Sequence, residues 1–108
     1  MTFRFHPQAL QEFEQAVLYY EGQQTGLSDR FIASIESAIE SVVATPATWP
    51  ILEAPVRRRL ARVFPYAVLY AELPEHVLIV AIMHCHRKPG YWRARLESPG
   101  AIPIAPDG

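Results

Sequence analysis

Tyr66-Ala67-Val68-Leu69-Tyr70-Ala71-Glu72 is followed, across Leu73-Pro74-Glu75-His76, by Val77-Leu78-Ile79-Val80-Ala81-Ile82-Met83-His84. These two runs decide the fold. The first is aromatic and β-branched, the composition of a strand. The second is apolar on both faces, as expected of a central strand covered on both sides. The four residues between them include a proline and read as a turn. Upstream, Arg57-Arg58-Arg59-Leu60-Ala61-Arg62-Val63 reads as a strand or loop edge, which makes a three-strand meander. At the start, Thr2-Phe3-Arg4-Phe5 alternates, so Phe3 and Phe5 share one face. They need cover, which predicts that this strand joins the sheet beside the last one.

Between these strands lie two stretches of helical period. Pro7 suits a first helical position, where its missing N–H costs nothing. Ala9, Leu10, Phe13, Ala16, Val17 and Tyr20 then fall on one face, with Gln8, Gln11, Glu12, Gln15 and Glu21 opposite. Gly22 and Gly26 bracket a break, and Ser28 and Asp29 are candidate caps for the second helix. Leu27, Phe31, Ile35, Ala38, Ile39 and Val42 form its stripe, with Arg30, Ser34, Glu36, Ser37 and Glu40 on its wet side; Pro46 and Pro50 end it. Two such helices with a short break form an antiparallel hairpin that must bury its stripes on a sheet. The expected class is a two-layer α+β domain: an N-terminal strand, the helical hairpin, a small mainly antiparallel sheet and a short C-terminal helical segment. Residues 1–97 read as one domain. Residues 98–108, with Pro99, Pro103, Pro106 and two glycines, read as a flexible tail.

The chain has 108 residues, half of them hydrophobic, and a formal net charge of −1. That excludes a uniformly basic nucleic-acid binder, yet the halves differ. Residues 1–56 hold two arginines against seven acids, and residues 57–108 hold eight bases against four acids. The asymmetry points to an anionic partner for the second half. A single cysteine, Cys85, cannot form an internal disulfide and reads as a small buried hydrophobe in a reducing compartment. No apolar run is long enough to span a bilayer, and no apolar segment follows the N-terminal charge, so no membrane association and a cytoplasmic location are expected.

Two constellations carry candidate chemistry. Arg57, Arg58, Arg59 and Arg62 place four guanidiniums within six positions, a contact surface for phosphates or carboxylates, or else a solvated edge that blocks aggregation. On a strand Arg57 and Arg59 share one face, and Arg58 and Arg62 the other. The second is His84-Cys85-His86-Arg87-Lys88-Pro89-Gly90-Tyr91-Trp92-Arg93-Ala94-Arg95. His84 and His86 lack a third ligand nearby, so no metal and no cofactor are expected. Tyr91, Trp92 and Arg95 form either a packing clamp, with Arg95 stacked on Trp92, or a partner hot spot. The carboxylates lie mostly on wet helix faces, which argues against a paired-acid site.

Taken together, the pattern resembles the RelE/ParE superfamily of type II toxin–antitoxin systems, in its ParE-like branch of plasmid stabilisation proteins. The resemblance covers residues 3 to about 95. It rests on Phe64-Pro65-Tyr66-Ala67-Val68-Leu69-Tyr70 and on the closing run from His84 to Arg95. Tyr19-Tyr20-Glu21, Gly26-Leu27 before Phe31, and Pro46 with Pro50 add weaker support. His6 stands where the family often has a serine cap, a departure expected to weaken the first helix slightly. The resemblance implies the same helical hairpin on a sheet, and a cognate antitoxin whose own domain binds operator DNA, so that this chain meets DNA only indirectly. A negatively charged antitoxin segment lying across Arg57–Arg62 and Arg87–Arg95 would match the charge split. A homodimer or a toxin–antitoxin hetero-oligomer is the expected assembly. Arg57, Arg58, Arg59, Arg62, His84, Arg87, Tyr91, Trp92 and Arg95 are the expected target- or antitoxin-binding residues.

For the free toxin the resemblance leaves three readings. One is a protein that inhibits DNA gyrase, or another macromolecular target, by binding it. A second is a metal-independent endoribonuclease that cuts mRNA on the ribosome, in which Arg59, Arg87 and Tyr91 hold the phosphate and move protons. The nuclease branch usually carries a basic residue where this chain has Ala67, which favours the first reading. The third is a non-toxic relic that keeps the antitoxin-binding fold.

Overall fold

The computed structural model describes residues 2–97, so the expected tail at 98–108 lies outside the described residues. The elements run β1 (Thr2–Phe5), α1 (Pro7–Gln23), α2 (Leu27–Ala44), β2 (Ile51–Glu53), β3 (Val56–Leu60), β4 (Tyr66–Glu72), β5 (His76–His84) and α3 (Ala94–Glu97). The five strands form one sheet in the order β1-β5-β4-β3-β2. β1 lies beside β5, as the reading of Phe3 and Phe5 expected, and runs parallel to it; the other pairs are antiparallel. The α+β reading therefore holds. β2 is an addition, because three exposed residues carry no apolar alternation to announce a strand.

α1 starts at Pro7, and His6 caps it: Gln8 N–H donates to His6 Nδ1 at 3.0 Å. The imidazole thus takes the role of the serine it replaces, contrary to the expected weakening. α1 runs through Gly22 to Gln23, so only Gly26 breaks the hairpin. Gly26 adopts φ 84°, a left-handed conformation that costs glycine little, and it stands at the N-cap of α2. Ser28 and Asp29 do not cap. The Ser28 hydroxyl instead donates to Glu21 of α1 and ties the two helices together.

The hairpin covers one face of the sheet. Phe31, Ile35, Ile39 and Val42 of α2 meet Val68 and Tyr70 of β4 and Val77 and Ile79 of β5. Burying each such side chain stabilises the fold by about 1.5–3 kcal/mol. The opposite face holds Val56, Leu69, Leu78 and Val80, and Trp92 with Tyr91 and Leu96 packs over it. The segment after β5 is therefore a strap across the back of the sheet, which is why β4 and β5 are apolar on both sides. Where β4 meets β5, Leu69 pairs with Ala81 but Tyr70 with Ile79, so Val80 is an extra residue, a β-bulge. The bulge shifts the alternation: Ile79 and Ile82 both face the helices, while Val80 and Ala81 face the strap.

Candidate functional site

β1 pairs only with His76–Ile79, so beyond Ile79 the outer edge of β5 has no strand beside it. Glu12 and Arg95 fill the place. Ile82 N–H donates to Glu12 Oε1 at 3.1 Å, and Arg95 Nη1 donates to the Val80 carbonyl at 2.9 Å. The two side chains also bind each other in a two-pronged pair, at 2.9 and 2.8 Å. Tyr91 Oη completes the cluster by donating to Glu12 Oε2 at 2.7 Å. Burial works against the Arg95 charge, but the Glu12 bonds and charge outweigh it and raise its pKa. Burial and the bond to Glu12 push the Tyr91 phenol far above its ordinary value, so it stays protonated.

Beside this cluster, α1 and the end of β5 form a cleft of about 260 Å³ lined by Glu12, Gln15, Tyr19, Tyr66, His84 and Arg87 among others. Tyr66 packs edge-on to His84, with ring centres 5.1 Å apart, and His84 accepts a bond from the His86 backbone N–H at 3.0 Å. The Arg87 guanidinium lies 3.9 Å from the centre of the Tyr91 ring. That is a cation–π contact with an exposed cation, so Arg87 keeps donors free for a ligand. Burial, and after it the neighbouring tyrosines, raises the Tyr66 phenol.

A second cavity, of about 280 Å³, lies between α2 and β3 and is lined by Arg30, Ser34, Ser37, Arg59, Arg62 and Val63 among others. Arg59 donates to Ser41 Oγ at 3.0 Å and lies 4.1 Å from the centre of the Trp49 ring. Arg57 donates to the Trp49 carbonyl at 2.7 Å. Arg57 and Arg59 thus share the helix-facing side, as the alternation predicted. Arg58 is exposed on the other side, and Arg62 lies beyond the end of β3.

The expected site residues therefore divide. His84 and Arg87 line one cleft, with Tyr91 stacked on Arg87 beside it, and Arg59 and Arg62 line another. Trp92 is only 2% exposed, packed on the back of the sheet, and Arg95 is held by Glu12, so neither presents a contact surface. The guanidinium of Arg95 faces Tyr91 at 5.0 Å, and the expected stack on Trp92 is not what forms. Cys85 is exposed rather than buried, because it follows β5 at the turn. Glu12 was missed, since its spacing put it on the wet face of α1; the polar cleft that takes it in is built by residues 70 to 83 positions away. Arg30 was likewise read as a solvated helix residue.

Among the described residues no group of three His, Cys, Asp or Glu side chains is arranged to hold a metal, and no helix is long and apolar enough to cross a membrane. The family model described as "ParE toxin of type II toxin-antitoxin system, parDE" matches residues 3–89. No curated protein matches the chain.

Proposed function

Because the chain belongs to the ParE toxin family of type II toxin–antitoxin systems, a family that implies a cognate antitoxin, we propose that it acts by binding DNA gyrase and not by cutting RNA. The separation of Arg59 from Arg87 and Tyr91 carries this reading. A ribonuclease needs a phosphate clamp and a proton-transfer pair on one reacting centre. Here Arg59 lines the α2–β3 cavity, and the Tyr91 phenol is spent on Glu12. What remains at the α1–β5 cleft is a guanidinium, one histidine and two tyrosines, and Arg and Tyr are residue types that grip a protein surface. Arg87 and His84 make the polar contacts in this reading, and Tyr19 and Tyr66 the apolar ones.

Purified toxin added to a gyrase supercoiling reaction should inhibit it, with relief on adding antitoxin. Full supercoiling at large toxin excess overturns the proposal. Primer extension on translated mRNA should show no new ends; ends that vanish in Arg87→Ala would carry the ribonuclease reading instead.

A further inference from the structure

Arg87 is the exposed cation of the α1–β5 cleft, and its backbone is well anchored. Its N–H donates to the His84 carbonyl at 2.9 Å, and two residues earlier Cys85 N–H donates to the Pro65 carbonyl at 2.8 Å. The side chain is held differently. An arginine on a surface turns about several bonds, and fixing them at the moment of binding costs affinity. Among the described residues the Arg87 guanidinium has no hydrogen bond or ion pair; what it rests on is the Tyr91 ring, 3.9 Å away. The direction of Arg87 is therefore decided by whatever fixes that ring.

Glu12 fixes it. Oε1 accepts from Ile82 N–H and Arg95 Nη1, and Oε2 accepts from Arg95 Nη2 and Tyr91 Oη. Each carboxylate oxygen thus takes two donors, and of the four only Tyr91 carries a cleft residue on its ring. Glu12 acts a second time through charge. Arg95 also faces the Tyr91 ring, at 5.0 Å, so two guanidiniums share one π-system. Like charges so close repel each other. The Glu12 carboxylate, 2.8 Å from Arg95, balances the inner cation and leaves the ring to the outer one.

We propose that Glu12 is the positioning residue of this cleft: through the Tyr91 hydroxyl and the neutralised Arg95, it aims Arg87 before the target arrives. The proposal rests on the reading of the cleft as the target-binding site. Glu12 lines the cleft as well, but both its oxygens are already engaged, so it acts through Tyr91 and not on the target. An Arg87 fixed in advance loses less freedom on binding, which raises affinity without adding a contact.

Glu12→Gln also weakens the fold, so Tyr91→Phe is the sharper variant. It keeps the ring beneath Arg87 and removes only the hydroxyl that donates to Glu12. The first arm needs no target. In wild type the heteronuclear NOE of the Arg87 Nε–H should approach backbone values. Arg58, exposed and without a side-chain partner among the described residues, should give the low value of a mobile arginine. In Tyr91→Phe the Arg87 value should fall toward that of Arg58. An unchanged Arg87 signal, or a wild-type Arg87 as mobile as Arg58, overturns the proposal. The second arm titrates purified gyrase with wild type, Tyr91→Phe, Arg87→Ala and the double variant by calorimetry. Tyr91→Phe should weaken binding about three- to tenfold when Arg87 is present and less than about twofold when Arg87 is already alanine. Equal weakening in both backgrounds is what a merely structural hydroxyl would give, and it defeats the positioning role. Failure of the wild type to bind gyrase defeats the target assignment, while the first arm still judges the positioning.

Discussion

Glu12 and Arg95, 83 residues apart in sequence, join in a two-pronged pair at 2.9 and 2.8 Å and together replace the neighbour strand that β5 lacks beyond Ile79. Both side chains are largely withdrawn from solvent. The pair connects α1, the bulged strand and the C-terminal strap in one contact.

Removing one partner leaves the other charged and buried. Arg95→Met or Glu12→Gln alone should destabilise the fold by about 3 kcal/mol. The double variant should cost less than the two added, because neither charge is then stranded. Urea unfolding of the four proteins measures the coupling; strict additivity would mean that the pair does not act as a unit.

His6 makes stability depend on pH. Burial, and after it the Arg95 charge, lowers its pKa below the ordinary 6.5, while Glu12 acts the other way. The folded chain therefore binds a proton less readily than the unfolded chain. Stability is fully present above about pH 6.5 and is lost as pH falls below it, toward the folded-state value. Protonation also removes the lone pair by which Nδ1 accepts from Gln8. His6→Asn keeps a capping oxygen and should lose less stability between pH 7 and pH 5 than wild type, read by thermal melts; parallel curves would refute this.

Trp92 and Arg87 should separate stability from recognition. Trp92→Ala opens the back of the sheet and should cost about 3–5 kcal/mol. Arg87→Ala removes an exposed guanidinium stacked on Tyr91 and should change stability by less than about 1 kcal/mol. It should nonetheless weaken target binding. Calorimetry and thermal melts on both variants decide it; a large stability loss in Arg87→Ala would make that arginine part of the framework.

Val63, at φ 75°, carries backbone strain that an asparagine would avoid. Val63→Asn should stabilise the isolated chain by about 1 kcal/mol, since Asn tolerates the left-handed region and Val does not. A fall in melting temperature would show that the Val63 side chain is needed by the fold itself.

The regular elements were legible because they repeat locally. Phe31, Ile35, Ile39 and Val42 announce α2 by spacing alone, and the unbroken apolar run of β5 announces cover on both faces. The site was legible only in part. Arg87, His84 and Tyr91 stand close in sequence and meet in space. Glu12 and Arg30 look like ordinary wet-face residues until the sheet and the strap are placed beside them. Trp92 comes shortly after a proline and a glycine, the company of an exposed loop, and its burial depends on the whole back of the sheet. β2 was hidden because its three residues pair with β3 through backbone alone, with exposed side chains that carry no pattern.

The Glu12–Arg95 closure also sets an order of events during synthesis. The helical hairpin and all five strands leave the ribosome before Arg95 does. Until that residue arrives, the Val80 carbonyl at the far end of β5 lacks the donor that Arg95 supplies and Glu12 lacks its charge partner, so this edge is less firmly closed, a template on which another chain can add a strand. A nascent or prematurely stopped chain is therefore the form most prone to aggregate or to be degraded. Stop codons placed at successive positions between residues 88 and 97 would locate the step at which the product becomes recoverable from the clarified lysate.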